Sequence, residues 1–122
     1  MEIRWKVTDP LGNEIFLTEK VYNDHICGDH ENADAEVRKS LEEHVKYSLQ
    51  HPRFIVKAQN FEGRRVYLDL ADIARENMIH VRPLFIVTEA DGKVVTWFAK
   101  RSANINVPQN GGIIYDKRTH RL

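Results

Sequence analysis

The segment Met78–Arg101, MIHVRPLFIVTEADGKVVTWFAKR, decides the fold. Two extended apolar runs flank Ala90-Asp91-Gly92, a triplet that suits a three-residue hairpin loop built on a type I turn and a glycine bulge. Met78 to Glu89 and Lys93 to Arg101 are therefore read as the arms of a long antiparallel hairpin. Upstream, Arg53–Ala58 is a short apolar run. Arg64–Leu70 alternates Val66, Leu68 and Leu70 with Arg65, Tyr67 and Asp69, the period of a strand with one buried face. Gly63 turns the chain between these two. Asp72–Asn77 is polar and reads as one helical turn. After Arg101, with Pro108, Gly111 and Gly112, the chain reads mostly as loop, and Ile113-Ile114-Tyr115 as an added edge strand.

The N-terminal half carries the helices. Glu2–Thr8 alternates like a strand, Asp9-Pro10-Leu11-Gly12-Asn13 is turn chemistry, and Glu14–Leu17 extends briefly. Thr18 reads as the N-cap of a first helix, with Glu19 meeting its positive end and Gly28 stopping it. At about 100° per residue, Val21, Tyr22, His25, Ile26 and Asp29 share one stripe, which sets His25 among apolar neighbours. A second helix runs from Asp34 to about Leu49, with Val37, Leu41, Val45 and Leu49 one turn apart, and Pro52 ends it. Helices first and strands afterwards predict an α+β domain, with two N-terminal helices packed on one face of a four- to five-stranded antiparallel sheet.

A chain of 122 residues, 42% hydrophobic and 30% charged, suits one domain with its own core, spanning residues 1–122. The single Cys27 forms no internal disulfide, and no apolar run approaches the roughly 18 residues of a membrane helix. MEIRWKVTD lacks the apolar centre of a secretion signal, so a cytoplasmic setting is expected. Zero net charge argues against holding nucleic acid by bulk electrostatics. The charge is nonetheless uneven: residues 1–61 carry eight Lys/Arg against eleven Asp/Glu, and residues 62–122 carry ten against seven, so a polyanion would prefer the second half.

Hairpin register decides which polar groups share a face. With a three-residue loop, Arg82 pairs with Lys100, His80 with Ser102 and Ile86 with Thr96, and all emerge on one side. A two-residue loop at Asp91-Gly92 would set Arg82 opposite Arg101 instead. A rim of His, Arg, Lys and Ser suits RNA cleavage in which a 2′-hydroxyl attacks the adjacent phosphorus, one group takes its proton, another protonates the leaving oxygen, and a cation steadies the phosphoryl charge. His25 and His30 suit the proton roles, Arg82 and Thr96 the phosphate, and Lys100, Arg101 and Ser102 the substrate backbone. Zinc competes for His25, Cys27 and His30, but their spacing matches no standard site. No metal or cofactor is called for.

Four stretches together, DPLGNEIFLT (9–18), TEKVYNDHICGDH (18–30), SLQHPRFI (48–55) and FIVTEADGKVVTWFA (85–99), resemble the phage and toxin nucleases grouped as barnase, EndoU, colicin and RelE-like, the BECR fold. Thr18, Glu19, Tyr22, His25, Ile26 and His30 match the Thr-Glu, aromatic, His-Ile and second-histidine residues at the entry of the phage-type branch, and Val94, Val95, Thr96 and Trp97 loosely match its late strand. Glu31 stands where that branch usually has Pro. The resemblance implies a small, metal-independent endoribonuclease, with RNA as substrate and an antidote protein or the ribosome as candidate partners. A binding module on the same scaffold, docking RNA, a ribosome or a protein without chemistry, is the other reading. A domain holding a small ligand between helices and sheet is a third.

Overall fold

In the computed structural model, the structure describes residues 1–28, 32–58, 62–75, 78–99 and 112–118. Strands β1 (Ile3–Thr8) and β2 (Glu14–Thr18) form a two-stranded antiparallel sheet, and the burial of β1 alternates as its sequence does. Helix α1 (Glu19–Val21) leads into a π-helical turn, Tyr22–Ile26, followed by α2 (Asn32–Ser40) and α3 (Glu42–Gln50). The remaining strands are β3 (Phe54–Lys57), β4 (Arg65–Arg75), β5 (Met78–Thr88), β6 (Val94–Ala99) and β7 (Ile113–Asp116). They build a five-stranded antiparallel sheet in the order β6-β5-β4-β3-β7. The fold is therefore α+β, with the C-terminal strand on an edge as its sequence suggests.

Three local expectations change. Asp72–Asn77 contains no helical turn among its described residues. Asp72 to Arg75 instead continue β4 and pair with Val81 to Met78, because a cross-strand partner supplies ladder bonds that an isolated turn lacks. The second helix divides at Leu41. The Ser40 hydroxyl bonds back to the Val37 carbonyl at 2.6 Å, and the Trp97 indole donates to the Arg38 carbonyl at 2.8 Å, so side chains intrude on the helical ladder there. The third change concerns the first helix. Its N-cap is as expected, the Thr18 hydroxyl accepting from the Val21 amide at 3.2 Å. The turn then widens, with the Cys27 amide bonding to the Tyr22 carbonyl at 3.0 Å.

One cluster of buried residues unites Val21, Ile26, Leu41, Val45 and Leu49 of the helical segments with Ile55, Tyr67, Leu84, Ile86 and Trp97 of the sheet. Widening the turn explains why both Val21 and Ile26 join it. Five residues apart, they diverge by about 140° on an α-helix, whereas an i to i+5 turn brings them onto one side. No helix among the described residues is long and apolar enough to cross a membrane.

Tyr67 is fully buried and donates from its hydroxyl to Asp9 Oδ2 at 2.6 Å. Burial, and then that bond, push its ionisation well above the usual tyrosine range. The folded state thus keeps a proton that the unfolded chain releases above about pH 10, so this contribution is whole below that pH and is lost as pH rises through the folded value. Wild type is expected to lose stability more steeply than Tyr67→Phe in urea melts taken upward from pH 10. Parallel curves would refute the assignment.

Candidate functional site

The π-helical turn carrying His25 lies against β6, and α2 lies against both. Arg4 of β1 also holds the turn. Its guanidinium sits 3.7 Å above the Tyr22 ring and bonds to Glu42 Oε1 of α3 at 3.1 Å, while Trp5 donates to Glu42 Oε2 at 3.0 Å. Arg4 first, then the Trp5 bond, outweigh burial and hold the Glu42 carboxyl below the usual range. Gly28 closes the turn by proximity: a Cβ there would meet the carbonyl oxygens of Asn23 and Asp24 at 2.9 Å. His25 itself is exposed, not set among apolar groups, since the widened turn gives its place on the buried side to Ile26.

Thr96 Oγ1 accepts from Arg38 Nη1 at 2.9 Å, and the neighbouring Trp97 indole reaches the Arg38 carbonyl. Adjacent strand residues point to opposite faces, so Arg38 must straddle the outer edge of β6 to meet both. Three chemically competent groups lie on adjoining elements: an accessible imidazole on the turn, and a guanidinium on α2 bonded to a hydroxyl on β6. Arg38 escaped the sequence reading because it adjoins the apolar stripe of its helix, and only Trp97 reveals which way that helix turns.

The hairpin register explains why Arg82 does not accompany Thr96. The loop is three residues long, as Ala-Asp-Gly suggests, with Glu89 bonded to Lys93 and Thr88 opposite Val94. A bulge at Val95 then shifts the ladder by one, so Ile86 pairs with Trp97, and Thr96 lies opposite Val87. The expected pairing of Ile86 with Thr96 is thereby corrected. Arg82 shares the core-lining face of Leu84 and Ile86, whereas Thr96 shares the face of Phe85 and Val87. Arg82 pairs with Ala71, and its guanidinium lies 3.4 Å from His80 Nδ1. His30, Lys100, Arg101 and Ser102 lie outside the described residues. Among the described residues no group of three or more His, Cys, Asp or Glu is arranged to hold a metal ion. No protein-family model matches the chain, and neither a curated protein nor a solved structure does.

Proposed function

We propose that this protein is a small endoribonuclease of the BECR type, its helical segments forming one layer over the sheet and its chemistry needing no metal. The observation that carries the reading is the juxtaposition of the exposed His25 turn with the Arg38–Thr96 hydrogen bond on the edge of β6. Exposed imidazole is competent for proton transfer near neutral pH, and π-helical turns recur at functional sites. In the proposed reaction the 2′-hydroxyl oxygen bonds to the adjacent phosphorus while its proton passes to one histidine. The bond to the 5′-oxygen breaks, and that oxygen takes a proton from the other, leaving a 2′,3′-cyclic phosphate and a 5′-hydroxyl. His25 fills one proton role and His30 the other. Arg38 takes the charge-stabilising role that the sequence assigned to Arg82, and Thr96, already held by Arg38, orients a phosphoryl oxygen.

Purified protein is expected to cleave single-stranded RNA in EDTA and to leave the 2′-deoxy analogue intact, since that analogue lacks the nucleophile. Equal binding of the two strands with no product from either would instead identify a binding module and reject the nuclease.

A further inference from the structure

Far from the His25 turn in the strand order, a cleft of about 410 Å³ is lined by Arg53, Phe54, Lys117 and Arg118. Two basic stretches distant in sequence build it together. Phe54 pairs with Asp116 across β3 and β7, and the Lys117 amide bonds to the Arg53 carbonyl at 3.0 Å. The cationic heads are positioned with care. Arg118 is held by Asp116 through two contacts, 3.2 and 2.9 Å, and its guanidinium carbon lies 5.4 Å from the centre of the Phe54 ring. Arg53 is drawn toward Asp69 at 3.3 Å. Lys117 is exposed and has no ion pair among the described residues. Three cations thus meet two carboxylates beside a half-buried aromatic ring that lines the cleft.

We propose that this cleft binds a nucleotide unit of single-stranded RNA, with the base against Phe54 and Arg118 and the phosphate on Lys117 and Arg53. The volume falls within the roughly 300–1,000 Å³ of ordinary ligand sites. An aromatic platform beside a cationic groove is how single strands are held without regard to sequence. A guanidinium within cation–π reach of the ring extends that platform. An acidic peptide would satisfy the cations but leave the ring unused. The sheet order separates β3 from β6 by two strands, roughly 14 Å at ordinary strand spacing. One RNA segment therefore spans the cleft and the His25 turn, and the cleft acts as an anchoring site for the substrate. This substrate role rests on the nuclease reading, but binding at the cleft is measured separately from cleavage.

The test is fluorescence anisotropy with a labelled 2′-deoxy oligonucleotide of roughly 12 nucleotides, within the usual site sizes for single-strand binders. The triple variant Arg53→Gln, Lys117→Gln, Arg118→Gln is expected to weaken binding at least about tenfold and to flatten the log K against log salt slope by about 1.4, at about 0.7 for each of the two phosphate contacts. Phe54→Leu, which keeps the apolar volume, is expected to weaken binding about fivefold or more with little change in the salt slope. Circular dichroism melts establish that the variants are folded. Unchanged affinity in folded triple and Phe54→Leu variants overturns the proposal, as does equal competition by an oligoglutamate. If wild type binds and these variants do not, the cleft stands even where no RNA is cut. If RNA is cut and the variants bind and cut like wild type, the cleft falls and the nuclease remains.

Discussion

His25→Ala is expected to lower RNA cleavage by about 10²- to 10⁴-fold, the usual contribution of a positioned acid or base. The melting temperature should stay within a few degrees. Both halves of that expectation come from the same fact, the exposure of the imidazole on the outer side of a widened turn. Its neighbour Ile26 carries the turn's burial, and Gly28 and Arg4 maintain its shape, so truncating His25 opens no core cavity. Loss of activity together with a large fall in stability would mean that the side chain supports the turn and performs no chemistry. Full activity in the folded variant would remove His25 from the mechanism. The pH profile adds an independent check: two histidines in opposite proton roles give a bell-shaped rate, and the variant should lose one limb.

Gly92→Ala is expected to destabilise the protein by about 2 kcal/mol or more, of which the left-handed backbone alone supplies about 1–2 kcal/mol. Gly92 has φ of 95° in the hairpin turn. An added Cβ there would also lie 2.0 Å from the carbonyl oxygen of Glu14, deep inside backbone that cannot rotate away. The two sheets meet at this point: the Phe16 amide bonds to the Gly92 carbonyl at 3.0 Å, and Phe16 bridges Lys93 in parallel fashion. Relief of the clash therefore requires β2 to separate from the hairpin, which adds to the cost. Thermal melting should show a fall of roughly 8 °C or more. Asp91→Ala, changed beside it without either constraint, serves as the comparison, and equal melting temperatures for the two would refute the close approach.

Local chemistry made much of this architecture legible. Ala90-Asp91-Gly92 specified its turn, the Thr18 hydroxyl its helix cap, and the alternation of Ile3, Trp5 and Val7 its half-buried strand, because each depends on neighbours a few residues away. Long-range partners decided the rest. Asp72 to Arg75 became strand because β5 offered them a ladder, and the bulge at Val95 moved Thr96 to the face opposite Arg82 through a one-residue slip that no alternation pattern reveals. The π-helical turn arose where Val21 and Ile26 both had apolar neighbours to reach, and it carried His25 outward. By itself the sequence determined which residues are competent for acid–base and phosphate chemistry, since that follows from side-chain type. Only the tertiary structure decided which of them meet, setting Arg38 on Thr96 and Arg118 over Phe54, because such encounters depend on strand register and helix rotation, to which residues far apart in the chain contribute together.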